Sequence, residues 1–474
     1  MSRADRNIAA GLFVLAAVTF GWFYGGAGWN QDAHFDLTRA LVERQTLSID
    51  GYESNTGDVS HGVNGHTFIN KAPGVSFLAA APYAAVFAAK KALGAPIEPM
   101  TRTDCWIVSW LTCGLCGAFI GPLLYVHGRR RMAATPLAAL CVSLCIVFGT
   151  IVFPYSTMLF AHVPAALFLL LAVTLLDDHP AAAGVAAGIA ACCFYVCAAA
   201  AIILAVMAMI HSRRSVLRFV IGGLPFAILL GIYQWLCFGS PFRTAVEAST
   251  SFTENGLLFG VLRIPRLDAL YGLSFSPYRG LFFTAPVLLF SFIGLIMMRR
   301  RRERYAVVLI AATFFIVLAA FNGWNGGCAF GPRYLLPIVP LLGIPMFAAA
   351  ALPSQIFRVT WIAAAITSVF FSFVATATDP MPCPDVPHPI SRYLMPAFFT
   401  GRIPENTRRA FPWYTTVRVD KIELPRDSGN LGELLFGRRK RASLMPIALW
   451  LAAGTALLLR AARKQPARFD SPPG

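Results

Sequence analysis

Apolar residues in this chain are gathered into long blocks separated by short polar or basic connectors. Most blocks have about the length that crosses hydrocarbon as a helix, roughly 17–25 residues. They predict spans over Ile8 to about Ala27 and over about 103–126, 133–153, 160–176, 181–192, 194–210, 219–238, 280–298, 305–321, 334–351, 356–376 and 443–462. The pattern therefore predicts an all-α, polytopic membrane protein with about 12 (11–13) transmembrane helices. The first run is longer than a signal-peptide core and lacks a small-x-small cleavage pattern, so it reads as a retained span. Composition agrees, because 57% of the 474 residues are hydrophobic and only 13% charged, about half the charged share of a soluble domain.

The net charge of +17 would suggest nucleic acid in a soluble chain. Here the basic residues sit between apolar blocks, where they read as topology signals and not as a nucleic-acid footprint. Arg129–Arg131, Arg213 and Arg214 with Arg218, and Arg299–Arg302 with Arg304 are expected on the cytoplasmic side. Segment 28–73 follows the first span and is expected outside, so an odd number of crossings must separate it from Arg129. Two apolar runs lie between, 74–91 and 103–126, and one of them cannot cross. The run 74–91 opens with Pro73-Gly74, contains Pro82 and ends in Lys90-Lys91; it is expected to lie as a re-entrant or interfacial helix. The cluster Arg438-Arg439-Lys440-Arg441 then falls outside, against the rule. Most of the cysteines fall within or beside apolar blocks and read as small packing residues, Cys113-x-x-Cys116 included.

The richest outer segment is 28–73, where Asp32, Asp36, Glu43, Asp50, Glu53 and Asp58 face only Arg39, Arg44 and Lys71, with His34, His61 and His66 interleaved. Residues 34–44 read as an amphipathic helix along the membrane surface, with Leu37, Ala40 and Leu41 on one side and Asp36, Arg39 and Glu43 on the other. An Asp36–Arg39 ion pair is the plain structural alternative for such acids. In GHTFINKAPG, residues 65–74, a lysine stands where the chain returns to the membrane and can meet a lipid phosphate. SFSPYRGLFFTAP places Arg279 at the start of a span, and FNGWNGGCAFGPRYLLPIVP packs Trp324, Asn325 and Arg333 between two spans. Guanidinium groups for phosphate, Trp for a sugar face and Asn for hydroxyls are what a sugar-phosphate site uses. Belt anchoring and snorkelling account for each of these residues singly.

In one span, an acidic outer loop (NQDAHFDLTRALVERQTLSID, GDVSHGVNGHTFINKAPG), a Pro-led interfacial helix and the stretches SFSPYRGLFF and WNGGCAFGPRYLLP, the chain resembles the GT-C superfamily of integral-membrane glycosyltransferases. It is most similar to the bacterial branch of protein mannosyltransferases and aminoarabinose transferases. The resemblance implies transfer of a sugar from a polyprenyl-phosphate donor to an envelope glycan, lipid or protein acceptor, with inversion, at the outer face of the cytoplasmic membrane. An acid of the first outer loop would be the general base, with Asp36, Asp32 and Asp58 as candidates. Lys71, Arg279 and Arg333 would hold phosphate, and His66, His162, Trp324 and Asn325 would bind substrate. Metal-dependent members carry acids in the second outer loop, whereas 150–176 has only His162, so no metal and no other cofactor is expected.

The expected organisation is a catalytic transmembrane domain over 1–378 with its first outer loop at 28–102, a proline-rich outer segment 379–442 without regular structure that caps the cavity, and a last helix with a cytoplasmic tail over 443–474. Membrane lipids are the remaining expected partners. Cys328 and Cys383 both fall outside and could pair. The alternative class is a transporter or lipid-linked-glycan flippase, which would show internal repeats and ionisable residues inside spans; neither is evident. The topology is checked by fusions: phosphatase joined after Asn64 is expected to be active, and a fluorescent protein joined after Arg131 is expected to glow. The reverse result overturns the assignment.

Overall fold

The computed structural model describes residues 1–26, 28–249, 256–258, 260–405, 427–438 and 440–465. The long apolar helices are α1 (Arg3–Trp22), α4 (Arg102–Arg130), α9 (Arg213–Phe238), α12 (Arg301–Ala320), α14 (Gln355–Thr378) and α15 (Arg441–Arg463). Shorter apolar helices are α5 (Pro136–Phe148), α6 (His162–Leu175), α7 (Pro180–Cys193), α8 (Cys197–His211), α11 (Pro286–Met297) and α13 (Arg333–Ala349). These match the expected spans one for one, and the protein is a multi-pass helical membrane protein. Between them lie α2 (Trp29–Arg39), α3 (Gly74–Ala92) and α10 (Leu267–Ser274). Among the described residues sheet is confined to two short pairs: β1 (Phe23–Tyr24) with β4 (Gly429–Asn430), and the hairpin β2 (Val59–His61) with β3 (Thr67–Ile69).

Helix starts are set by local chemistry. Ser2 accepts from the Asp5 amide at α1, Thr135 and Pro136 open α5, and a Thr101–Asp104 capping box opens α4, each meeting amide groups that a helix start leaves unpaired. The first span accordingly begins at Arg3 rather than Ile8 and ends at Trp22, where the next two residues pair with β4; Ala27 lies outside the described residues. On α9 the side chains of Leu217, Ile221, Leu224, Ile228 and Trp235 are exposed, the lipid-facing stripe of a peripheral span.

The arginine connectors gather at one end of the bundle. Arg129 Nε lies 3.0 Å from Asp5 Oδ1, and the Tyr125 hydroxyl donates to the same oxygen at 2.8 Å. Arg302 reaches Asp177 at 2.7 Å, Arg131 meets Asp178, and Arg300 lies 2.9 Å from Glu303 and donates to the Arg131 carbonyl at 3.3 Å. At the opposite end, both ends of α3 stay on one side. A Cβ on Gly74 would stand 2.6 Å from the Cys192 carbonyl at the end of α7, and Lys90 Nζ lies 2.7 Å from Asp104 at the start of α4. The helix therefore does not cross, as charge parity required.

Arg438 also lies at that opposite end, paired with Glu433 at 3.3 Å and Asp427 at 3.4 Å. Local acids thus accompany the cluster that departs from the charge rule, although Arg439 is outside the described residues. Segment 379–442 is more regular than its prolines suggested. It contains helical turns over Ile390–Leu394 and Met395–Thr400 and the strand β4, because Pro396 falls in the first helical turn, where its missing N–H costs nothing. Residues 406–426 of that segment and the tail from 466 lie outside the described residues.

Asp5 is buried with Arg129 against it. Asp5→Ala is expected to destabilise the bundle by about 3–5 kcal/mol, the cost of stranding one partner of a buried pair, with Asp5→Asn losing less. An unchanged melting temperature in detergent would remove the pair from that role.

Candidate active site

The polar sequence of α2, WNQDAHFDLTR, does not lie on the membrane surface with one wet face. Every residue from Asn30 to Arg39 is buried, because the β2–β3 hairpin and α3 fold over the helix. Ala33 and Leu37 join Ile49, Phe68, Ile69, Tyr233 and Phe238 in a small apolar cluster. The charged groups meet partners of their own. Asn55 Nδ2 donates to Asp36 Oδ1 at 3.0 Å. Arg39 turns to Glu43 at 3.0 Å and Glu98 at 2.5 Å, and its guanidinium stacks 4.2 Å from the Tyr52 ring centre. Burial alone would raise the Glu43 carboxyl, but hydrogen bonds from Tyr83, Arg39 and Tyr52 outweigh it and hold the group below the usual carboxylate range.

The hairpin delivers Lys71 to the end of the bundle. Its Nζ lies 3.1 Å from Asp58 Oδ1, with both side chains largely buried, and the neighbouring Asn70 donates to Ser249 at 3.0 Å. The docking of Gly74 on the Cys192 carbonyl sets Lys71 and Ala72 beside Cys193 and Phe194. There Asn30, His34, Lys71, His162, Phe194 and Tyr334 line a cavity of about 40 Å³. His34 Nδ1 lies 3.0 Å from the Ser76 hydroxyl. Burial, with Lys71 and Arg333 as nearby cations, pushes the His34 imidazole down to about 3, against a smaller opposing pull from Asp58. The buried Arg333 guanidinium sits 5.1 Å from both the Phe160 and Tyr334 ring centres and donates to the Tyr334 hydroxyl at 3.3 Å.

The other expected residues are distributed unevenly. Asp32 is fully buried and faces Tyr24 and Cys105 on the α1 and α4 side of α2. His66 is half-exposed and bonded to Asp50 at 2.5 Å, away from the cavity lining. Arg279, expected to hold phosphate, is fully buried and clamps the following loop: Nη2 donates to the Gly327 carbonyl at 2.7 Å and Nη1 to that of Ala329. A guanidinium committed to two backbone carbonyls positions a loop. Trp324 lies on α10 over Gly272, where any Cβ would stand 2.2 Å from the ring, and Asn325 Oδ1 accepts from the Gly327 amide at 3.0 Å within its own turn.

The loop clamped by Arg279 carries a second strand of chain. Ala329 and Phe330 amides donate to the Pro382 and Pro380 carbonyls at 3.1 Å, the Tyr278 hydroxyl donates to Pro384 at 2.7 Å, and Gln31 donates to Met381 Sδ at 2.9 Å. Residues 380–384 thus strap the loop to the start of α2. Cys328 and Cys383 flank this contact. Among the described residues no three His, Cys, Asp or Glu side chains are grouped to hold a metal ion. The sequence reasoning missed Asn30, Ser76 and Tyr334 and gave His34 no role; the four-residue spacing of Asn30 and His34 puts them on one helix face.

No family model matches the chain, and no curated protein matches it. Its structure does match that of ArnT from Cupriavidus metallidurans, solved bound to undecaprenyl phosphate, with a TM-score of 0.51 at 13% identity. The chain has the ArnT fold. The match to ArnT covers 96% of this chain and 76% of ArnT, so the loop after α1, the non-crossing helix and the bundle belong to one architecture.

The Glu43 network gives a pH test. Because the folded carboxyl titrates below its ordinary value of about 4.3, its stabilisation is present above that value and is lost as pH falls through the lowered one. Glu43→Gln is expected to cost about 3 kcal/mol at neutral pH, by depriving buried Arg39 of its more enclosed charge partner, and to shrink the loss of stability between neutral pH and pH 3. Identical acid limbs in the two proteins would exclude this role.

Proposed function

We propose that the protein is a glycosyltransferase that moves a sugar from a polyprenyl-phosphate donor to an acceptor at the outer face of a bacterial cytoplasmic membrane, inverting the anomeric carbon. The observation that carries this reading is the convergence of two cations, the largely buried Lys71 and the buried Arg333, on His34 at one cavity in a fold whose solved counterpart holds undecaprenyl phosphate. A donor of this kind leaves a phosphate anion behind when its sugar departs, and preorganised cations stabilise that leaving group. Lys71 meets the phosphate as a point charge and Arg333 as a fork.

Asp58 is committed to Lys71 and serves as its positioning partner. The general base that takes the acceptor hydroxyl proton therefore falls to Asp32 or Asp36 on α2. Arg279 and the strap 380–384 fix the loop that leads into Arg333, and segment 379–442 forms the cap of the catalytic domain. The acceptor is an envelope glycan, lipid or protein. No nucleotide-sugar motif of the G-x-G-x-x-G type follows a strand, which agrees with a lipid-linked donor.

Membranes carrying the protein are given radiolabelled polyprenyl-phosphate sugars at matched expression. Lys71→Ala and Arg333→Ala are expected to reduce transfer by about 10²-fold or more. One of Asp32→Asn and Asp36→Asn is expected to lose about 10²–10⁴-fold, and Asp58→Asn less. Transfer by none of the donors, or full activity in Lys71→Ala, sinks the reading.

A further inference from the structure

The cavity beside Lys71 contains polar atoms that the protein itself leaves unmet. Asn30 Oδ1 and both ring nitrogens of His162 are buried without a hydrogen-bond partner among the described residues, and the two residues are 6% and 3% exposed. Three such atoms at one cavity are costly unless a ligand meets them. The walls are aromatic: the Phe194 and Tyr334 rings lie parallel within 4°, centres 6.1 Å apart, with His162 packed against both. A cavity of about 40 Å³ has room for a few water-sized groups, enough for one substituent of a sugar and not for the ring.

The demand these atoms make is specific. An uncharged imidazole presents one N–H donor and one lone-pair acceptor, and Asn30 Oδ1 is an acceptor only. Meeting all three takes two donated protons and one accepted, which a hydroxyl supplies together with one water. A carboxylate cannot donate to Asn30 Oδ1. An ammonium group cannot accept from the imidazole N–H, and it would add a third cation beside Lys71 and Arg333. None of the residues lining the cavity is an acid.

We propose that this pocket reads an uncharged hydroxyl or hydroxymethyl group of the transferred sugar and rejects a sugar bearing an ammonium group at that position. The inference rests on the glycosyltransferase reading and adds the class of sugar to it. Asn30 accepts from the hydroxyl, His162 donates to it, a water in the remaining space donates to the other ring nitrogen, and the aromatic walls enclose the substituent.

The test uses the purified full-length chain in lipid nanodiscs at pH 7, with binding measured for undecaprenyl phosphate, undecaprenyl methyl phosphate, and undecaprenyl phosphodiesters of a panel of uncharged pentoses and hexoses. Each sugar is paired with versions in which single hydroxyls are replaced by amines. At least one uncharged sugar lipid is expected to bind about tenfold or more tighter than the methyl phosphodiester, with at least one of its aminated versions losing that gain. His162→Phe and Asn30→Leu should each erase the increment due to the sugar, while Asn30→Asp should move preference toward the aminated lipid. If every aminated version binds as tightly as its hydroxyl parent, or no uncharged sugar outbinds the methyl phosphodiester, the proposal is overturned while the glycosyltransferase reading stands. Failure of undecaprenyl phosphate and its methyl ester to bind at all overturns both.

Discussion

A helix as polar as Trp29–Arg39 can be buried only if each charged group on it is met, and the non-arginine end of the protein is organised around that demand. Asn55 is brought to Asp36, Glu43 and Glu98 to Arg39, and Ser76 to His34. Each partner comes from a different piece of chain, so satisfying α2 fixes the course of everything from Gly28 to Glu98. Buried pairs of this kind contribute little net stability compared with apolar packing, but losing one partner is expensive. They define one arrangement and penalise the others.

The same logic gives the cavity its sign. Lys71 arrives already opposed by Asp58, and Arg333 arrives with aromatic faces and a hydroxyl instead of a carboxylate. Asp58 lies within electrostatic reach of both cations, while Asp36 accepts from Asn55 and Asp32 lies toward Tyr24 and Cys105. An anion brought to this place meets both cations. The neutral polar atoms of Asn30 and His162 sit beside them, so a ligand that is anionic at one end and hydroxylated at the other matches both.

The spans were legible because crossing hydrocarbon is a one-dimensional requirement: length and apolarity are written along the chain. The non-crossing helix α3 was legible for a related reason, since the arginine connectors fix parity. The burial of α2 was not, because its cover includes Tyr233 and Phe238 at the end of α9, far along the sequence. Arg279 and Arg333 look alike as single arginines near span starts; what separates them is that Gly327 and Ala329 present carbonyls to one and rings flank the other. Lys71 could be singled out in GHTFINKAPG because the turn that positions it lies next to it in the chain. Tyr334 and Ser76 carried no local signal, and their meaning comes from the helices they face.

The two ends of the molecule hold their charges in different surroundings. Around Asp178 and Arg300 the network is open to solvent, with side chains 58% and 38% exposed, whereas the Arg39 side chain is fully enclosed and Lys71 nearly so. Counter-ions at physiological ionic strength screen exposed charges over about 8 Å and scarcely reach enclosed ones. Added salt therefore loosens the exposed contacts of Arg131 and Arg300 while leaving Arg39 and Lys71, and the buried Arg129 with Asp5, electrostatically intact, so ionic strength sorts the ion pairs of this protein by their enclosure.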